Sequence, residues 1–116
     1  MTGRTRIRQR PPITREDLTA ILAEQVMKWG VAPDRFLMER RKWLPRWRFR
    51  PAERIEDAFR LLNAIDPAEY IISGRGSEDF CVRVRLRNGG VGEARHKSEA
   101  CAITYAVARA IGVEIT

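Results

Sequence analysis

An eight-residue run, "FCVRVRLR" at residues 80–87, limits what this chain can become. It alternates apolar and mostly basic side chains without a break. Phe80, Val82, Val84 and Leu86 therefore share one face of a strand, and Cys81, Arg83, Arg85 and Arg87 share the other. The "NGG" that follows is a hairpin signal, because Asn-Gly accepts the positive φ of a tight turn, so "VGEAR" returns as an antiparallel neighbour. "EYIIS" (69–73) supplies a third strand, reached through the turn "GRGSED". Ser98 then caps a helix, "EACAITYAVARAI", closed by Gly112, with Val113 and Ile115 expected to dock the tail. Alanines at 100, 102, 106, 108 and 110 leave that helix little bulk, so it can pack close against the sheet.

Upstream the apolar period is 3.6. Thr14 is an N-cap with Asp17 three residues on, and Ile13 and Leu18 sit where a hydrophobic staple places its pair. Leu18, Ile21, Leu22, Val26 and Trp29 then recur at helical spacing, so a helix is expected over 15–29 with Gly30 as its left-handed terminator. A second helix is expected from Pro51, in its first turn, to Ile65, with Ile55, Ala58, Phe59, Leu62 and Ile65 as its stripe and Asp66-Pro67 as its end. Between them, "PDRFLMERRK" suggests a short helix capped by Asp34. Pro45 stops anything beyond Leu44, which leaves "RRKWLPRWRFRP" (40–51) mostly irregular. The sum is an α+β fold, an α-α-β-β-β-α sandwich with a three-stranded antiparallel sheet packed by helices. Residues 1–12 form a basic arm that lacks the apolar content to offset its ordering, and 13–116 form a single domain.

Charge narrows the function classes. The chain carries a net +7, and the excess is all in the first half: residues 1–51 hold 13 Lys/Arg against 5 Asp/Glu, residues 52–116 hold 9 against 10. Such asymmetry points to an anionic partner, because clustered Arg attracts phosphate and speeds encounter. Three basic features carry it. The arm has Arg4, Arg6, Arg8 and Arg10 at alternate positions, to neutralise phosphates or merely to solubilise a tail. Arg83, Arg85 and Arg87 make a cationic strip unless acids on neighbouring strands, such as Glu93, pair it off. The third is Arg40, Arg41, Lys42, Arg46, Arg48 and Arg50, interleaved with Trp43, Trp47 and Phe49. Aromatic rings among arginines suit base stacking plus phosphate contact. A segment of that length also needs buried anchors, which favours the three rings inward with the cations snorkelling outward.

Catalysis has little support. His96 is the sole histidine, near Glu93, Glu99 and Cys101 in sequence, but a Cys/His pair requires convergence in space. Glu56 and Asp57 share a helix with Arg54 and Arg60, a solvated ion-pair face. "GRG" and "GGVG" lack the lysine and setting of a phosphate loop. Cys81 and Cys101 are twenty residues apart, too few with one histidine for a zinc site, and both read as reduced, buried thiols. No enzyme, metal or cofactor is expected. No run is apolar enough for a bilayer span and no apolar segment follows the basic start, so no membrane association is expected and the cytoplasm is the expected location.

"LAEQVMKW", "WLPRW", "DAFRLL", "YIIS", "FCVRVR" and "SEACAITYAVARAIGVEI", in that order, resemble the phage αβα sandwich domain family of small phage and prophage proteins. The resemblance covers most of residues 18–115. It implies a non-enzymatic accessory protein acting in the cytoplasm of an infected or lysogenic bacterial host. Many small phage proteins block host defences, so the expected role is an anti-CRISPR-like one. The chain would bind and inhibit a defence component, either a nucleic-acid-handling effector or an anionic signalling molecule, through its basic surface. The partner is then a host defence protein or that protein's nucleic acid or nucleotide ligand. A second resemblance, to double-stranded RNA-binding domains, rests on the α-β-β-β-α order of 55–111 and a Gly-x-Gly before the alanine-rich helix. It implies direct nucleic-acid binding, with the usual lysine cluster reduced to Arg95, His96 and Lys97.

Overall fold

The computed structural model describes residues 14–74 and 79–113. The elements follow in the order α1 (Arg15–Gln25), β1 (Gly30–Val31), β2 (Arg35–Leu37), β3 (Trp43–Pro45), α2 (Ile55–Ile65), β4 (Glu69–Ser73), β5 (Phe80–Arg85), β6 (Val91–His96) and α3 (Glu99–Ala110). Single turns of 3₁₀ helix precede and follow β3, at Glu39–Arg41 and Arg46–Arg48. The α+β class and the C-terminal meander are those the sequence predicts. A second three-stranded antiparallel sheet is added to them.

The meander runs β4-β5-β6, with Val82 opposite Ile72 and Ala94, and Arg83 opposite Ile71 and Glu93. Gly89 takes φ 96 in the turn, and Asn88 Oδ1 accepts from the Gly90 N–H at 2.9 Å, which is why Asn-Gly closes this hairpin. Val82, Val84, Gly92 and Ala94 are buried on the inner face, with Phe80 half-buried beside them. α3 covers that face. It is capped by Ser98, whose Oγ accepts from the Cys101 N–H at 3.2 Å. At its other end Gly112 turns at φ 92, and the Val113 N–H donates to the Ala108 carbonyl at 2.9 Å, bringing Val113 onto the core. Ile115, expected to dock alongside, lies outside the described residues.

At Gly90 and Gly92 helix and sheet approach so closely that there is no room for a side chain between them. A Cβ at Gly92 would overlap the Ala106 carbonyl oxygen and the Ala110 backbone, and one at Gly90 would overlap the Ala110 carbonyl. Ala100, Ala102, Ala106, Ala108 and Ala110 are all buried, as are Cys101, Ile103, Thr104 and Val107. α3 is thus enclosed nearly all round, the pattern of a central helix. Its remaining sides meet α2, which contributes Ala58, Leu61 and Leu62.

The chain up to α2 departs from expectation in several places. α1 is capped as predicted, Thr14 Oγ1 accepting from the Asp17 N–H at 3.0 Å, but it ends at Gln25 rather than Trp29. Lys28, not Gly30, takes the left-handed turn, at φ 62, and the Trp29 N–H reaches back to the Ala23 carbonyl at 2.9 Å. That reversal places the Trp29 ring against Phe36 and Phe49, at centroid separations of 5.8 and 5.0 Å. Burial of this aromatic trio outweighs about 1 kcal/mol of left-handed strain at Lys28.

No helix forms at Asp34. Residues 30–45 instead pair as β1-β2-β3, with Val31 opposite Phe36 and Phe36 opposite Leu44. In the strand conformation β2 buries Phe36 while Arg35, pointing to the other face, stays exposed. Pro45 is compatible because β3 is an edge strand and Pro45 its last residue. The stretch expected to be irregular is therefore mostly a strand and two tight turns.

Pro51 lies in a separate turn, and α2 starts only after Arg54. Asp57, expected on a solvated face, is 8% exposed and accepts from the Arg50 N–H at 2.9 Å. Ile55, assigned to the apolar stripe, is exposed. α2 does end as expected, with Asp66 left-handed at φ 47 before Pro67.

Replacing Gly92 with alanine should lower stability by at least about 2 kcal/mol, the range for overpacking against backbone that cannot yield. Urea unfolding would show a lower midpoint with an unchanged slope. Gly30→Ala, where the new Cβ meets only ordinary contact with Leu37, is the control and should shift the midpoint far less.

Candidate anion-binding groove and its basic rim

The same segment that defeats a helical reading builds the most distinctive surface. Phe49 is fully buried against Trp29 and Phe36, and the Arg50 N–H is held by Asp57, so residues 46–50 are fastened at both ring and backbone. Arg46 adds a third hold. Its Nη1 donates to the Ala32 carbonyl at 3.0 Å, its Nη2 to the Glu16 carbonyl at 3.4 Å, and its guanidinium stacks 5.1 Å from the Phe36 ring. A side chain nominated from sequence as a partner-binding cation is thus also a tie between the segment, α1 and the β1–β2 turn.

Trp43 and Trp47 do not turn inward as expected. They are 54% and 62% exposed, among the largest exposed hydrophobic side chains described. Alternation along β3 explains Trp43: Leu44, its neighbour, faces Phe36 instead. The core position expected of these two rings is taken by Phe49 together with Trp29 and Phe36. Each exposed ring carries an arginine, Arg35 at 5.2 Å over Trp43 and Arg48 at 5.8 Å over Trp47. The Arg35 guanidinium also holds the Asp34 carboxyl below the usual carboxylate range, through a hydrogen bond at 2.8 Å.

The hairpin joining β2 to β3 is closed by the Met38 N–H donating to the Lys42 carbonyl at 2.7 Å. Arg40, Arg41 and Lys42 therefore occupy its tip, with Arg41 forced to φ 61. Arg41 and Lys42 are exposed, as is Arg48, while the Arg40 side chain lies outside the described residues. Arg4, Arg6, Arg8 and Arg10 also lie outside them. Arg50 is exposed but bridges Glu53 at 3.2 Å.

Arg83, Arg85 and Arg87 do form an exposed row, and acids meet it. Arg85 bridges Glu69 at 3.0 Å, Arg87 bridges Asp66 at 3.3 Å, and Arg83 faces Glu93 across the ladder. Such solvent-exposed pairs add at most about 1 kcal/mol each to stability. They nevertheless cancel much of the positive potential of the strip. One carbonyl of the edge strand β6 is also capped, Arg109 Nη1 donating to Glu93 at 2.7 Å.

A groove of about 510 Å³ opens between α1 and the fastened segment. Arg15 comes to its walls from α1 and Arg46 and Arg50 from the fastened segment, and Trp47 and Phe49 supply the aromatic side. Glu16 and Glu53 are the acids on the walls. Arg15, at the start of α1, is the residue the sequence did not single out, because it reads as one more charge in a helix's first turn.

Behind Arg15 lies Cys101. Its Sγ is 3.8 Å from Arg15 Nη2, and burial pushes the thiol up, against the opposing pull of Arg15 and Tyr105. His96 is turned away from any such pairing: its Nδ1 accepts from the Ser98 N–H at 2.9 Å and its ring meets Tyr105 edge-on. Cys81, expected to be buried, is half-buried on the outer sheet face, 3.8 Å from Glu93. Neither cysteine is bridged. Among the described residues no group of His, Cys, Asp and Glu could hold a metal ion, and no helix is long and apolar enough to cross a membrane.

No protein-family model matches the chain, and no curated protein does. Among solved structures, the 2.0 Å crystal structure of a phage protein from Bacillus cereus ATCC 14579 is similar, with a TM-score of 0.74 over 95% of this chain and 98% of that one, at 14% sequence identity. At that identity the likeness is one of fold, and it agrees with the resemblance to small phage proteins. The order α2, β4, β5, β6, α3 is also that of a double-stranded RNA-binding domain, but membership of that family has no support from any comparison.

Truncating the two kinds of aromatic should separate them. Phe49→Ala should cost about 3–5 kcal/mol, as core aromatic deletions do, whereas Trp47→Ala should stay within about 0.5 kcal/mol of the parent. Thermal unfolding of the two variants checks this. A thiol reagent at pH 8 should label Cys81 in the folded protein and reach Cys101 only on unfolding, since a buried thiol with a raised pKa stays protonated there.

Proposed function

We propose that the chain is a non-enzymatic, phage-type accessory protein that binds an acidic or nucleic-acid-handling component of a host's anti-phage defence and blocks it. In this reading it works in the host cytoplasm. The observation that carries the proposal is the pair of exposed tryptophans, each beneath an arginine, on a segment fastened by Phe49, Arg46 and Asp57. Tryptophan and arginine dominate binding energy at protein interfaces, and a rigid presenting surface lowers the entropic cost of association. The charge of the first half adds steering toward an acidic surface. The shared fold with a phage protein supports the setting.

Direct binding of nucleic acid is the second reading, favoured by the same aromatic and basic side chains, since bases stack on exposed rings. The ion-paired row at Arg83, Arg85 and Arg87 contributes less to it than the hairpin tip.

The test is capture from a bacterial lysate by the tagged chain, with and without nuclease, beside a variant carrying Arg41→Glu, Lys42→Glu and Arg48→Glu. These three are exposed and outside the holds described above, so the unfolding midpoint should not move. A protein that survives nuclease and is lost with the triple variant supports the inhibitor. Nucleic acid alone, bound with an affinity falling steeply with salt, supports the second reading. Equal capture by the triple variant removes the basic rim from either function.

A further inference from the structure

We infer that the groove between α1 and residues 46–53 is a site for a nucleoside phosphate, its phosphoryl group on Arg15, Arg46 and Arg50 and its base on Trp47. This rests on the reading of the basic segment as anion-binding, and names what the groove itself would hold.

Three properties of the groove lead there. The first is charge that is fixed before any ligand arrives. Arg46 is held by two backbone carbonyls and the Phe36 ring, and Arg15 lies with its Nη2 3.8 Å from the Cys101 sulfur, Tyr105 beside it raising its pKa. Neither is within 4 Å of a carboxylate among the described residues, and both retain unused N–H donors. Of the two acids on the walls, Glu53 is already spent on Arg50. Preorganised guanidinium forks suit a phosphoryl group, which they can grip with paired N–H bonds.

The second is the first turn of α1. Arg15, Glu16 and Thr19 line the groove, so the end of the helix with unpaired N–H groups and positive dipole borders the same space. Thr14 Oγ1 takes up only the Asp17 N–H.

The third is size and composition. A groove of about 510 Å³ lies within the range of small-molecule sites and is far larger than one phosphate requires. The remainder is bordered by Trp47, an exposed ring able to stack on a planar base. A ligand with an anionic end and an aromatic end fills both halves, and a nucleoside monophosphate has that form.

Titration of the purified chain with AMP, followed by tryptophan fluorescence and by calorimetry, tests this. AMP should quench Trp47, and the quenching should vanish in Trp47→Phe but persist in Trp43→Phe. Arg15→Gln should weaken binding about tenfold or more, the loss expected for a charge-assisted hydrogen bond. Because that change also touches Cys101, Glu53→Gln is the companion variant: it releases Arg50 at the surface and should tighten AMP binding about threefold. Adenosine and inorganic phosphate should each bind far more weakly than AMP. No saturable AMP binding, or phosphate binding as tightly as AMP, overturns the site. Arg41, Lys42 and Arg48 do not line the groove, so failure here leaves the capture experiment on the rim intact, and failure of that capture leaves this titration intact.

Discussion

The seat of α3 on β6 is the contact on which the rest of the structure depends. Gly92 presents bare backbone to the backbone of α3 at Ala106 and Ala110, and the alanines of the helix keep the approach close. An interface of this kind offers little slack: dispersion falls off within an ångström, and a single added carbon has nowhere to go. With α3 fixed so near the sheet, its opposite side is near enough for Ala58, Leu61 and Leu62 of α2 to reach it. α2 in turn carries Asp57 and Arg60. One holds the Arg50 backbone, and the other lies 5.8 Å over the Trp29 ring. The position of the basic segment is thus set, through two layers of packing, by a glycine more than forty residues further along the chain.

The second constraint is the aromatic trio. Trp29, Phe36 and Phe49 come from a helix exit, a three-residue strand and the end of a 3₁₀ turn, none of which would be stable alone. Each supplies the surface that the others bury. The small sheet exists because Phe36 must face the other rings, and the left-handed turn at Lys28 exists because Trp29 must. A buried carboxylate accepting a backbone N–H contributes about 1.5–3 kcal/mol, so Asp57 adds a polar fastening to an apolar one.

These two constraints explain how far the sequence could be read. The C-terminal half was legible because its rules are local: alternation at Val82, Arg83 and Val84, Asn88-Gly89 in the turn, Ser98 before an alanine-rich run. Each names its own structure within a few residues. The first half obeys long-range rules. Asp34 as a cap, with Phe36, Leu37 and Arg40 or Arg41 on successive turns, reads as a short helix, and only the presence of Trp29 and Phe49 beside Phe36 makes a strand the better solution. Which of Trp43, Trp47 and Phe49 would be buried was equally hidden, since all three are large rings in one short segment and only Phe49 packs on Trp29. Arg15 is hidden for the same reason, because the two cations that share the groove with it, Arg46 and Arg50, are 31 and 35 residues away in sequence.

Net charge alone would treat all these arginines alike, but their surroundings divide them. Arg85, Arg87 and Arg50 are answered by carboxylates, which lowers the field they present to a partner. Arg46 is spent on carbonyls, which fix its place but leave its charge uncancelled. Arg41, Lys42 and Arg48 stand exposed, Arg48 over the Trp47 ring. Exposing Trp43 and Trp47 forgoes the apolar burial that either ring would gain inside, and folding alone offers no return for that loss. In the function proposed above the return comes from a partner: a fixed, uncancelled cation at Arg46 and two tryptophans in solvent suit an anion with a flat apolar face.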